Sequence, residues 1–151
     1  MKALIIEKKD LRHNITRIKE FINPDNSEKQ KEIIAVIKGN GYGLGLVEYA
    51  NFLIDNGISF LAVASTDEAI KLRKSGVQEK ILMLSSTADP QEIEELIKNN
   101  IILTIGSKEA GIEANKVAKS MKREVQIHLK IDTGFGRYGF IYSQTEEIIN
   151  A

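Results

Sequence analysis

Apolar residues recur along this chain with two alternating periods. In "LRHNITRIKEFI" Leu11, Ile15, Ile18 and Ile22 fall at intervals of four, three and four, which predicts an amphipathic helix with Asp10 placed to cap its first turn. Short β-branched runs and longer helical segments then take turns. "EIIAVIK" reads as a strand, "LVEYANFLIDNG" as a helix closed by Gly57, "FLAVA" as a strand, and "TDEAIKLRKSG" as a helix closed by Gly76 and entered through Ser65 and Glu68 at capping-box spacing. "KILMLSS" is the third strand. In "ADPQEIEELIKNN" Asp89 caps, Pro90 takes the first helical position, and Ile93, Leu96 and Ile97 form the buried stripe. "IILTI", the helix "SKEAGIEANKVAKSMK" and the strand "EVQIHLKID" follow. "SQTEEIINA" opens another helix, with Ser143 and Glu146 again at capping-box spacing.

A leading helix followed by about five strand and helix units predicts an α/β fold with parallel strands and right-handed crossovers. Two architectures satisfy that pattern: an open doubly wound sheet, complete at this length, and a closed eightfold barrel, which needs about 250 residues. The last strand separates them. Val125, Ile127, Leu129 and Ile131 share one face, and Gln126, His128, Lys130 and Asp132 share the other. A doubly wound sheet covers both faces with helices, whereas a barrel covers only the outer one. The pattern favours the barrel, and an edge strand of an open sheet is the alternative. The chain stops inside a helix that has just begun, so truncation is the expectation.

Composition narrows the functional classes. The 151 residues are 42% hydrophobic and 28% charged, the profile of one globular domain. Basic and acidic residues balance at 21 each, so no net field draws nucleic acid, anionic lipid or an acidic partner. Cysteine is absent, which removes thiol chemistry and fits a reducing compartment. "MKALIIEKKDLRHN" reaches charge too early for a secretory signal, and no apolar run approaches the roughly 20 residues of a spanning helix, so a cytoplasmic location is expected. No histidine cluster suits a metal.

Two stretches carry chemistry. "AVIKGNGYGLG" sets Lys38 at the C-terminal end of a strand with two apolar faces, where active sites of parallel α/β proteins form. An amine held against apolar walls sheds its charge more readily than in water, and a neutral amine is what a Schiff base with an aldehyde requires. A lysine at a strand end otherwise simply reaches solvent. Gly39, Gly41, Gly43 and Gly45 permit positive φ and allow an anion to approach backbone N–H groups, offering a place for phosphate. Neither the dinucleotide fingerprint nor a P-loop is present. In "HLKIDTGFGRYGF" three glycines surround Arg137, whose planar fork suits a carboxylate or a phenolate oxygen. Asp132 either binds that arginine or caps the loop, and an inward Lys130 needs a negative partner. His128 reads as an interior or rim histidine, and Tyr42 as loop packing or a phenol reaching a phosphate.

These two stretches, with the leading "DLRHNITRI" helix, resemble the bacterial alanine racemases over essentially the whole chain. The resemblance implies that residues 1–151 are the N-terminal part of a pyridoxal 5'-phosphate-binding (β/α)8 TIM barrel, with the rest of the barrel and a C-terminal β domain absent. It implies interconversion of L- and D-alanine for cell-wall precursor supply in a head-to-tail homodimer, with this piece alone inactive and prone to self-association through its open strand edges. Lys38 is then the cofactor's lysine and one of two bases, and Tyr42 belongs to the cofactor surroundings. Arg137 holds the cofactor's phenolic oxygen and the substrate carboxylate. Lys130 occupies the position that family members often carbamylate. The second base and the group facing the pyridine nitrogen lie outside the chain. One departure stands out: Leu44 replaces a histidine near the cofactor, which leaves an ornithine or broad-specificity racemase open. A noncatalytic pyridoxal-phosphate protein of related barrel fold is the other alternative.

Overall fold

The computed structural model describes residues 5–24, 30–143, 146 and 149. Helix α1 (Lys8–Ile22) comes first. It is followed by strand β1 (Ile34–Val36), a short turn α2 (Lys38–Tyr42), α3 (Leu46–Asp55), β2 (Phe60–Val63), α4 (Thr66–Lys74), β3 (Lys80–Met83), α5 (Pro90–Lys98), β4 (Leu103–Ile105), α6 (Lys108–Met121), β5 (Ile127–Leu129), β6 (Ile131–Asp132) and β7 (Phe140–Ile141). The helix expected from Ser143 lies largely outside the described residues.

Local chemistry accounts for most boundaries. Asp89 accepts the N–H groups of Gln91 and Glu92 at 2.8 and 3.1 Å ahead of Pro90, and Ser107 accepts that of Ala110 at 3.2 Å. Helix α1 departs from expectation: it starts at Lys8 with Glu7 as an uncapped N-terminus, and Asp10 sits inside the first turn. Its attachment is polar as well as apolar. Ile15 packs against the core, and Lys19 Nζ donates to the carbonyls of Asn56 and Gly57 at 2.8 and 3.0 Å, which neutralises the C-terminal end of α3.

Strands β1, β2 and β3 pair in parallel and in sequence order, a parallel bridge from Leu82 to Ile102 joins β3 to β4, and β4 pairs in parallel with β5. The alternation of side chains sorts two cores. Leu61, Val63, Ile81, Met83, Leu103 and Ile105 face the helices and meet Leu53, Leu72, Ile93, Leu96 and Val117. Phe60, Ala62, Leu82 and Ile102 form a smaller cluster on the opposite face. A doubly wound sheet reverses its strand order and carries helices on both faces. Sequential order, with the helices packed on one face, is the geometry of a barrel wall. The register confirms which face of the last strand turns inward, because His128 pairs with Thr104 beside the smaller cluster. Ile127 and Leu129 point outward and are exposed at 48% and 44%. The strand predicted over 124–132 is interrupted at Lys130, where Phe140 N–H bonds the Lys130 carbonyl at 2.9 Å. No helix among the described residues is long and apolar enough to cross a membrane.

Candidate functional site

The C-terminal ends of β1 to β5 open onto one cavity of about 770 Å³. Each strand contributes the residues just beyond it: Lys38 after β1, Ala64 after β2, Leu84 to Thr87 after β3, Gly106 after β4 and Lys130 after β5. Arg137 and Tyr138 close one side from the glycine loop. Three of the side chains nominated from sequence, Lys38, Lys130 and Arg137, therefore share one space. Tyr42 does not line it and is 62% exposed. Leu44 does not line it either; it lines an outer groove with Ile6, Leu11 and Tyr49 between α1 and α3.

The lysine segment is wound the wrong way for L-residues. Gly39, Asn40, Gly41 and Tyr42 all have φ between 53° and 65°, one turn of left-handed backbone that glycine alone adopts without cost. The turn consumes its own donors: Gly41 N–H bonds Ile37 O, Gly43 N–H bonds Gly39 O and Asn40 O, Leu44 N–H bonds Gly41 O, and Gly45 N–H bonds Asn40 O, at 2.9 to 3.2 Å. The N–H groups of Gly41, Gly43, Leu44 and Gly45 are therefore taken up inside the turn and not free for a phosphate. The glycines bend the chain instead. The apolar walls expected on the face Lys38 shares with Ile34 and Val36 are open as well, those residues being 39% and 37% exposed. Lys38 itself is half-buried.

The second loop is held by Asp132, which settles the choice left open by sequence. Its carboxylate accepts Gly134 N–H at 2.9 Å and Gly136 N–H at 2.9 and 3.1 Å, and it does not pair with the arginine. Those backbone bonds hold its pKa below the usual carboxylate range. Arg137 stacks on two rings, 5.2 Å from the centre of Phe135 and 5.7 Å from that of Tyr138. Among the described residues the inward Lys130 makes no close ion pair, although its charge helps to lower the Asp132 pKa after the Gly134 and Gly136 N–H bonds. Its Nζ donates to Ile131 O at 3.0 Å and lies 5.4 Å from the Tyr138 ring centre. Tyr138, which sequence reasoning passed over although it adjoins Arg137, anchors this group: its hydroxyl donates to Leu84 O, and its ring lies against Gly106. His128 is a rim histidine, edge-on to Phe60 with ring centres 5.9 Å apart.

A primary amine and a guanidinium facing one space of cofactor size fit pyridoxal 5'-phosphate: the amine suits an aldehyde, and the guanidinium a phenolic oxygen or carboxylate.

Comparison with known proteins bears on this geometry. Residues 6–151 match the family model described as alanine racemase, N-terminal domain. The chain is 39% identical to an alanine racemase of Carboxydothermus hydrogenoformans over 92% of its own length and 36% of that protein, and 41% identical to one from Staphylococcus saprophyticus over 80% and 32%. It thus spans about a third of these curated relatives. Among solved structures it superposes on alanine racemase from Clostridium difficile 630 with a TM-score of 0.83 at 38% identity, covering 93% of this chain and 36% of that one. It superposes on a histidine racemase from Leuconostoc mesenteroides with a TM-score of 0.82 at 31% identity, covering 94% and 36%. The wall of sequential βα units is the N-terminal part of that TIM barrel.

Proposed function

Because this chain belongs to the family of alanine racemase N-terminal domains, we propose that it carries the cofactor lysine of a pyridoxal 5'-phosphate-dependent amino-acid racemase acting on alanine, in residues 1–151 of the barrel domain. The observation that carries this reading is the meeting of Lys38 and Arg137, from opposite ends of the chain, in one cavity at the strands' C-terminal ends.

When bound, the cofactor supplies a conjugated ring that delocalises charge from the substrate Cα. This chain supplies position and one proton path. The Lys38 amine would hold the cofactor at its aldehyde end, and the same amine would remove or return the proton at the substrate Cα from one face. Arg137 would orient the phenolic oxygen and the substrate carboxylate, its guanidinium held over the rings of Phe135 and Tyr138. Racemisation also needs a base on the opposite face, which we assign to the partner subunit of a cytoplasmic homodimer. The product, D-alanine, fits cell-wall precursor supply. Tyr42 belongs to the cofactor surroundings by resemblance, with its exposed ring available to a partner or ligand. Lys130 is the carbamylation position, although its ammonium is satisfied by Ile131 O in this structure.

A second substrate reading has its own support, because the same half-barrel geometry occurs in a histidine racemase. One experiment tests the shared core. The chain is incubated with pyridoxal 5'-phosphate, reduced with borohydride and digested, and the label is expected on the peptide holding Lys38 and absent in Lys38→Ala. A label spread over surface lysines in both proteins refutes the reading. Racemisation of L-alanine, L-ornithine and L-histidine by the full-length polypeptide then ranks the substrates.

A further inference from the structure

We propose that Glu68 is a positioning residue for Lys38, acting through the backbone of Asn40. This rests on the reading of Lys38 as the cofactor-binding amine. Glu68 stands three residues after Ser65 at the start of α4, where a capping box turns the carboxylate back to the serine's N–H. Half of that box forms: Glu68 N–H donates to Ser65 Oγ at 3.3 Å. The carboxylate goes elsewhere. Its Oε2 accepts Ala64 N–H at 3.3 Å, and its Oε1 accepts Asn40 N–H at 3.0 Å, 28 residues away in sequence.

Asn40 is the hinge of the left-handed turn. It has φ 55° and ψ 46°, its side-chain oxygen accepts Leu46 N–H at 3.1 Å, and its carbonyl accepts Gly43 and Gly45 N–H at 3.2 and 3.0 Å. A run of left-handed residues is uphill for asparagine and tyrosine and persists only where surroundings fix it. Among the described residues, the Glu68 carboxylate makes the single side-chain hydrogen bond that enters this turn from another strand and helix unit. Ala64 and Lys38 both line the cavity, so one carboxylate clamps the ends of β1 and β2 together beside the amine. The bond leaves Lys38 Nζ untouched and fixes the backbone two residues beyond it.

The test compares Glu68→Ala, Glu68→Gln and Ser65→Ala with the unaltered chain, reading hydrogen exchange at the Asn40 amide and the rate of borohydride trapping of pyridoxal 5'-phosphate at Lys38. Glu68→Ala is expected to speed Asn40 exchange and slow trapping, each about tenfold. Glu68→Gln, which keeps an acceptor for Asn40 N–H, falls between. Ser65→Ala weakens the start of α4 without touching the turn and leaves both readouts unchanged. If Glu68→Ala does not fold, Glu68→Gln against Ser65→Ala decides. Unchanged exchange and trapping in the Glu68 variants, with normal trapping in the unaltered chain, overturns the proposal alone. Absence of trapping in the unaltered chain overturns the cofactor reading and, with it, the role of Glu68.

Discussion

Replacing Gly106 with alanine tests how the arginine loop is held against the barrel wall. Gly106 lies between β4 and the Ser107 cap of α6, and its backbone is outside the left-handed region, so the substitution carries no conformational penalty. The cost is steric. An added Cβ would stand 2.9 Å from Cδ2 and 3.1 Å from Cε2 of Tyr138, and 3.3 Å from Cβ of Ser86. Carbon atoms pack at about 3.5 to 4.0 Å, so the ring must retreat by roughly half an ångström. That ring is pinned by its hydroxyl on Leu84 O and faced by Lys130 and Arg137. Overpacking costs about 1 to 3 kcal/mol, and loosening one hydrogen bond about 1 kcal/mol; a ring that is only half-buried can tilt, which favours a total of about 2 kcal/mol. Urea unfolding of Gly106→Ala should show that loss. In a Tyr138→Leu background, where the opposing ring is gone, the same substitution should cost at least about 1 kcal/mol less. Equal costs in the two backgrounds would refute the ring contact as the source of the loss.

Two further expectations follow from the polar contacts. Asp132, whose folded pKa is depressed by the Gly134 and Gly136 N–H bonds, should keep the glycine loop ordered above its unfolded pKa of about 3.9 and release it as pH falls through the lower folded value. The Gly134 and Gly136 amide resonances should report that transition, and Asp132→Ala should abolish it; a loop that loosens between pH 5 and 7 would contradict the assignment. Arg73 donates to the carbonyls of Val77, Glu79, Asn99 and Asn100 at 2.8 to 3.0 Å, and burial lowers its pKa without removing its charge. Arg73→Lys should cost about 2 kcal/mol, since one ammonium cannot span four acceptors, and a thermal midpoint equal to that of the unaltered chain would show the clamp to be dispensable.

Much of the fold was legible because its signals are local. Asp89 and Pro90 act within three residues of themselves, so that cap could be read before any contact was known. The alternation along residues 125–132 marked an inward polar face, because strand side chains must alternate. Lys38 and Arg137 could be nominated for the same reason: strand ends in parallel folds form sites whatever the loops do. What misled was equally local reasoning. The spacing of Ser65 and Glu68 predicted a reciprocal cap, and the acceptor was drawn off by a distant N–H. Four alternating glycines looked like free donors, and the turn takes up the N–H groups of three of them, Gly41, Gly43 and Gly45.

Local periodicity thus fixed the order of the principal strands and helices, the Asp89 cap of α5, and the amine just beyond the first strand, because each depends on bonds spanning a few residues. Strand neighbours, the inward face, the seat of Tyr138 against Leu84 and Gly106, the outward turn of Leu44 and the reach of Glu68 to Asn40 were decided only when remote segments came together. Those contacts join residues dozens of positions apart, and their energies depend on distances that no spacing along the chain encodes.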